Sequence, residues 1–480
     1  MKKNRGINKL ASTLVAAVVI AGMLGGCGAG SKDVESSAAP SNDTNAQTAS
    51  PVPATPEATP EATPEQIVEI TAWDQPAPDD AGKPFVESEF ARFEKLHPNI
   101  KVKHVEAFQT NSREKFMTAI AGGEAPDAME QPFPDMQLYI QKGIAADITD
   151  MVNSSPDKDR FIDGAFDLAT KDGKVYGIPS FMYSTGLLYN KRMFKTAGIE
   201  SIPKTWDEFA TTAQKVQEKN PGSIGFDILG MDWADWHFEY YVWQAGGDLT
   251  ELQPDGTVKL QFTSDAAVKA LQYYKDLKWK YKITQKNVVQ DYNENQKDFF
   301  SGRSAMILGS SDSFGNFMKQ GMKPEEIGFA PFPVGPSGTA PSQVGGNFWM
   351  LNPKSTPEKM KAAFEYAMFF QSKEHFELWA QYCVDNGFGI NPLSIVKDFD
   401  VMKFVKELPA DYIAAVQETT KNKHLEYYLK SSLSPYLAKP IQKILLDPKA
   451  DPATEMKAAQ ELAQKEVIDK YNTDILSAAK

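Results

Sequence analysis

From Ile67 onward, apolar residues recur in two alternating rhythms. Residues 67–73 (Ile-Val-Glu-Ile-Thr-Ala-Trp) are β-branched and alternate as a strand does. Val86, Phe90, Phe93 and Leu96 then fall at helical spacing, and His97-Pro98 ends the run. The same reading predicts a strand at 100–105, a helix at 112–121 stopped by Gly122-Gly123, a strand at 126–130, and a short helix at 136–141 closed by Gly143. Strands follow at 174–178 and 186–189. Thr205-Trp-Asp-Glu208 has the spacing of a capping box and opens a helix. A strand at 223–229, a tryptophan-rich helix at 234–245, a helix from Ser264 to about Lys280, a helix at 293–300 and a strand at 305–308 complete the middle of the chain. The last hundred residues read as mostly helical. Strands alternating with helices imply parallel βαβ units and an α/β fold.

The chain before Ile67 is of another kind. Lys2, Lys3, Arg5 and Lys9 precede an apolar stretch from Leu10 to Leu24, which is short for a membrane span. It runs into Leu24-Gly25-Gly26-Cys27, which resembles a bacterial lipobox. Residues 1–26 are therefore expected to be a signal peptide, and Cys27 to carry a diacylglyceryl anchor. Residues 28–66 lack aromatic residues, are rich in Ser, Ala, Thr and Pro, and repeat Ala-Thr-Pro-Glu three times. Such a composition cannot offset its ordering entropy by burial. With Cys27 it makes a tether, 27–66, spanning roughly 35 Å as a coil. The expected location is the extracellular face of a bacterial cell membrane, reached through the lipid anchor only.

Composition narrows the chemistry. A net charge of −12 argues against nucleic acid as a partner. Six arginines are too few for a ligand held by several guanidinium clamps. Two cysteines allow no disulfide framework, and the five histidines have no metal-ligand spacing. There is no G-x-S-x-G and no Gly-Lys-Ser/Thr phosphate loop. No cofactor and no metal are expected, and a monomer is.

Several segments then carry a family resemblance in order. Phe93-Glu-Lys-Leu-His-Pro-Asn-Ile-Lys-Val102 leads from a helix to a strand, and Ala121-Gly-Gly-Glu-Ala-Pro-Asp-Ala-Met-Glu130 enters the next. Tyr176-Gly-Ile-Pro-Ser180 runs on to Leu187-Leu-Tyr-Asn-Lys191. Pro203-Lys-Thr-Trp-Asp-Glu-Phe209, Phe299-Phe-Ser-Gly-Arg-Ser-Ala-Met306 and Val344-Gly-Gly-Asn-Phe-Trp-Met350 follow. Over 67–480 the chain resembles the extracellular solute-binding proteins of ABC importers, in the group that includes maltodextrin-binding proteins. The resemblance implies a two-lobed periplasmic-binding-protein-like fold of type II. Each lobe would be a mostly parallel sheet flanked by helices, with the ligand cleft between them. Lobe one would be 67–180 with 347–396, and lobe two 185–343 with 400–480. Hinges would lie at 180–185, 344–347 and 398–400. The implied partners are a small solute and membrane permease subunits. One departure stands out: where the family often places an aromatic platform, Gly309 is followed by Ser310-Ser311-Asp312-Ser313.

By that pattern the cleft is lined by Trp73, Asp74, Gln131, Asp135, Tyr183, Asp232, Trp233, Trp236, Ser310, Asp312, Asn347, Trp349 and Tyr436. Planar amides and carboxylates suit hydroxyls that donate and accept, and aromatic rings suit the C–H face of a sugar. A sugar or oligosaccharide is the expected ligand. The alternatives are a cationic solute such as a polyamine, held by aromatics and acids, and a lipid-anchored glycoside hydrolase. Asp232 and Asp235 argue against the hydrolase, since acids three apart on a helix face the same side.

The lipobox generates a direct test. Cys27→Ser is expected to abolish membrane retention after a high-salt wash; a mutant that still sediments with membranes would refute lipid anchoring.

Overall fold

The computed structural model describes residues 66–478 apart from 75–81, 107–111, 232 and 407. The expected signal peptide, Cys27, the expected tether up to residue 65 and Asp232 lie outside the described residues. Among those described, no helix is long and apolar enough to cross a membrane.

One eight-stranded sheet runs through the body. Strands Val68–Asp74, Ile100–Glu106 and Ala128–Pro132 pair in parallel, with Val68–Asp74 in the middle. Helices Lys83–Leu96 and Ser112–Gly122 connect them, as the alternating rhythm predicts. Two long strands then cross the molecule. Ile178–Asn190 is a single thirteen-residue strand where two shorter ones were expected. It pairs antiparallel with the return strand Ser342–Leu351 and, further along, with Met306–Ser310 and Ile327–Ala330. The return strand also pairs antiparallel with Ala128–Pro132. Parallel pairing thus joins the first three strands and, over two residues only, the return strand to Lys423–His424, whereas every named pair made by the outgoing strand is antiparallel.

Buried side chains collect on either side of these crossovers. One core is built on Ile70, Phe93, Ile100, Ile178, Trp349 and Tyr366, with Phe116, Met136, Tyr139 and Phe348 packed on a neighbouring layer. The other is built on Phe209, Phe226, Phe238, Tyr274, Leu308, Leu433 and Ile441. The helix Phe133–Gln141 belongs to the first side through Met136 and Tyr139, yet its Leu138 packs into the second. At its end Gln141 Nε2 donates to Gly256 O (2.9 Å), while Tyr428 and Tyr471 donate to Gln141 Oε1 (2.6 and 3.0 Å). Gly256 has φ +83°, and a Cβ there would sit 1.9 Å from Gln141 Nε2, so only glycine permits this approach.

The expected helix starts hold. Thr205 Oγ1 accepts from Glu208 N, and Asp291 forms a reciprocal capping box with Glu294 ahead of Tyr292–Phe300. The expected strand at 223–229 is not a regular one. Its amides bond instead to Arg303 O, Ile283 O and Met306 O, with isolated bridges at Ile224 and Asp227 only. Asp227 in this segment is fully buried, and both carboxyl oxygens lack a hydrogen-bond donor among the described residues. Burial, reinforced by the Asp298 carboxylate, pushes Asp227 up to about 9.

An acid raised in the folded state keeps its proton between about pH 4 and 9, where the unfolded chain has lost it. Folding stability therefore falls as pH rises through that window. Asp227→Asn cannot ionise. It is expected to gain on the order of 1 kcal/mol or more at pH 8 relative to pH 5, read from urea unfolding at the two values. An unchanged difference would show that Asp227 is ionised in the fold.

Candidate functional site

Where the crossovers run between the two cores, a cavity of about 560 Å³ opens. Pro132, Pro134 and Asp135 form one wall, from the start of helix Phe133–Gln141. Tyr183 on the outgoing crossover forms the floor. Its ring lies on Gly345 of the return strand, where a Cβ would come within 2.2 Å of the phenol carbon. Trp233, Trp236, Tyr292 and Ser310 line another part, and Glu426, Lys430, Ser431 and Ser434 complete the lining, with Ser431 Oγ donating to Asp135 Oδ1 at 3.3 Å.

The aromatic rings are held from behind. Trp236 lies on helix Ala234–Gln244 and is 7% exposed. Its indole N–H donates to Gln343 Oε1 on the return crossover, and Tyr240 donates to the same oxygen at 2.8 Å. Trp233 precedes that helix with φ +65° and is 56% exposed. A tryptophan in the left-handed region is uncommon, and this one presents its ring to the opening. Tyr292 braces both, with ring centroids 5.2 Å from Trp233 and 5.9 Å from Trp236. These three rings supply the aromatic part of the cavity, whereas Gly309 is followed by Ser310-Ser311-Asp312-Ser313.

A charged group closes the wall. Lys430 begins helix Lys430–Leu446 directly after Leu429, which has φ +61°. Its ammonium bonds Glu426, lies 3.5 Å from Glu239 Oε1 and 5.9 Å from the Trp236 ring centroid. Burial pushes Glu239 and Glu426 upward, and the lysine acts against that. Burial works against the Lys430 charge, but the surrounding acids more than offset it and raise its pKa. Asp235 is fully enclosed, accepting from Tyr427 and Ser434 hydroxyls at 2.7 Å each. His237 is buried with neither nitrogen bonded among the described residues, and burial followed by the Lys430 charge lowers it to about 3. It is neutral at physiological pH.

Of the thirteen expected ligand residues, the structure brings Asp135, Tyr183, Trp233, Trp236 and Ser310 together in this cavity. Others lie elsewhere. Trp73 packs edge-on to Phe116. Asp74 turns to Tyr366 and His104, and Trp349 stacks near Phe370; both line a separate, smaller cavity. Gln131 is buried and donates to Glu130 O. Asn347 is half-buried in the return strand, and its carbonyl accepts from Ser180. Asp312 follows Ser310 without lining the cavity, and burial raises its carboxyl. Tyr436 bonds Glu466 instead. Sequence reasoning missed Tyr292, Glu426 and Lys430. Tyr292 was signalled weakly, as the first residue of a capping-box helix beside an expected strand.

A family model for bacterial extracellular solute-binding proteins matches residues 90–410. The chain belongs to that family. Proteins of Brucella abortus and Brucella suis named as binding proteins are 27% identical to this member over 256 residues. The chain spans 61% of those relatives' length, and the match takes 53% of its own. The maltodextrin-binding protein MdxE of Bacillus subtilis is 27% identical over 301 residues, covering 60% of this chain and 67% of MdxE. Among solved structures, the ABC substrate-binding protein Lmo0181 of Listeria monocytogenes, in complex with cycloalternan, superposes with a TM-score of 0.67. It is 24% identical and covers 83% of this chain and 99% of its own. Maltose-bound MalE3 of Thermotoga maritima superposes with a TM-score of 0.63 at 21% identity, covering 83% and 99%. The fold of this solute-binding protein is thus the two-lobed type II periplasmic-binding fold, and the relatives named are binding proteins rather than enzymes.

If Trp233 and Trp236 form the stacking wall, Trp233→Ala is expected to weaken ligand binding by about 1–3 kcal/mol, roughly five- to 150-fold, with little change in melting. Trp236→Ala is expected to cost affinity and some stability, because it also removes one of the two donors to Gln343 Oε1. Isothermal titration of both variants checks this, and unchanged affinity in both would remove these rings from the site.

Proposed function

We propose that this protein is the substrate-binding lipoprotein of an ABC importer. It captures a sugar or oligosaccharide between its lobes and delivers it to permease subunits at the membrane. The observation that carries the reading is the composition of the 560 Å³ cavity at the crossovers. Three indole and phenol rings on one wall and Tyr183 beneath them offer flat apolar area to a pyranose face. Asp135, Ser310, Ser431 and Ser434 around them offer acceptors and donors to its hydroxyls. Lys430, fixed by its acids, is a further donor, and a positive charge that a cationic solute would meet. Asp235, enclosed and doubly bonded, cannot serve a hydrolase at this cavity.

The ligands of relatives support a saccharide: maltodextrin for MdxE, diacetylchitobiose for DasA of Streptomyces coelicolor, cycloalternan for Lmo0181. On this reading lobe one is 67–180 with 347–396, and lobe two is 185–343 with 400–480. Anchoring at Cys27 and a monomeric state belong to the same proposal. The lobes close about the crossovers when a ligand touches both, since a ligand shifts the population toward the state it binds better.

Titration against malto-, chito- and mixed-linkage oligosaccharides, with small-angle scattering before and after saturation, tests this. A saccharide is expected to bind without releasing product and to reduce the radius of gyration by on the order of 1 Å. Product release would make the protein an enzyme, and failure of the whole panel alongside binding of a polyamine would move the ligand to the cationic class.

A further inference from the structure

Charge is unevenly supplied around the crossover cavity. Among the described residues, two acids, Asp135 and Glu426, and one base, Lys430, line it, and no arginine does. Two more acids, Asp235 and Glu239, lie behind the lining, both fully enclosed. Asp235 is tied to the wall by Ser434, whose hydroxyl donates to it at 2.7 Å, and Glu239 Oε1 lies 3.5 Å from the Lys430 ammonium. Four acids thus gather about one base.

That base is already taken. The Lys430 ammonium bonds Glu426 and lies against Glu239, with 14% of its side chain exposed. Even where one of the two acids keeps its proton, the other balances the lysine. Burial pushes the Glu426 carboxyl up, Lys430 acts against it, and Asp235 and Asp135 add to the rise. The acids of this wall therefore already act on one another. A further anion placed among them is repelled, and in a partly desolvated space that repulsion is stronger than in water and less screened.

Asp135 adds a charge to this wall from another element. It stands in the first turn of helix Phe133–Gln141, where the unpaired amides of a helix favour a negative group. Pro134 immediately before it and Pro132 two residues earlier restrict the backbone that carries it. Ser431 Oγ donates to its Oδ1 at 3.3 Å. A carboxylate accepts several hydrogen bonds, so Asp135 can still receive a sugar hydroxyl. An uncharged saccharide gains an acceptor there, whereas an acidic one meets a like charge.

Resting on the saccharide reading, we propose that the crossover cavity selects uncharged saccharides, and that Asp135 is the specificity-determining residue that rejects sugars bearing a carboxylate, sulfate or phosphate. Glu426 contributes less to the rejection, because Lys430 offsets it.

Isothermal titration of the full chain compares neutral malto- and chito-oligosaccharides with counterparts of the same length in which the terminal CH2OH is oxidised to a carboxylate. At about 20 mM salt the neutral member of a pair is expected to bind ten-fold or more tightly, and at about 500 mM the gap is expected to narrow two-fold or more. Asp135→Asn keeps the shape and an acceptor. It is expected to narrow the gap five-fold or more, by strengthening the acidic member rather than by weakening the neutral one. Glu200→Gln, which removes an exposed acid outside the cavity, is expected to leave the gap unchanged. The salt series uses the unaltered chain and keeps the test available should Asp135→Asn fail to fold. Equal or tighter binding of the acidic member, a gap insensitive to salt, a gap that Asp135→Asn leaves unchanged, or equal narrowing in Glu200→Gln would each overturn the proposal and leave the saccharide reading intact. No binding by either member of any pair would overturn both.

Discussion

The crossover strands are hydrogen-bonded to each other, and the cavity is positioned from that ladder. Register pairs Gly345 with Tyr183 and Val344 with Ser184. Ser342 Oγ donates to Thr185 O, Thr185 Oγ1 meets the Tyr240 hydroxyl at 2.6 Å, and Gln343 receives both Tyr240 and the Trp236 indole. The floor and the aromatic wall are therefore fixed by the same few residues that join the two cores. Strand side chains alternate, so a slip of one residue would exchange the faces of Ser342 and Gln343 and detach the tryptophan helix from the ladder. The bulge between Asn347 and Phe348 falls after this stretch, where the return strand enters the first core.

The charged wall depends on the same geometry. Two largely buried carboxylates share one ammonium, an arrangement costly in desolvation and strongly dependent on every member being present. Glu239 comes from the tryptophan helix, Glu426 and Lys430 from the entry to another helix nearly two hundred residues later. The cluster thus ties those two helices together beside Trp236, behind a surface that must stay rigid to be useful. Its acids are satisfied internally, which leaves the serines, Asp135 and the rings to discriminate among ligands.

The sequence was most legible where the signal is local. Capping at Thr205 and Ser264, glycine stops and the early strand–helix rhythm all reappear in the structure. The segment at 223–229 shows the limit: its β-branched pattern is real, but its neighbours offer scattered acceptors rather than a full ladder. Among site residues, position after a strand was readable, but the direction of the side chain was not. Asp74 and Trp349 stand at the right strand ends, yet the pleat turns them toward Tyr366 and Phe370, away from the crossover cavity. Lys430 and Glu426 carried no pattern to find, because only tertiary closure brings them to Trp236. Trp233 and Trp236 were readable because helical spacing and the neighbouring acids are both local facts.

The helix Phe133–Gln141 bears on how such a molecule moves. It starts in the cavity wall, packs in the first core and ends hydrogen-bonded to Gly256, Tyr428 and Tyr471 on the other side. Hydrogen bonds of this kind contribute about 0.5–1.5 kcal/mol each, so three amount to a few kcal/mol. Moving a two-state equilibrium from 1:99 to 99:1 takes about 5.5 kcal/mol. Contacts at Gln141, which lies outside the cavity lining, are therefore comparable with what a ligand must supply to hold the lobes together. If the lobes separate on this side, the bonds to Gln141 break together, because one side chain holds them all. On the proposed lobe assignment, affinity would be set partly by this contact, which the ligand never touches, and Gly256, by admitting Gln141 so closely, is part of it.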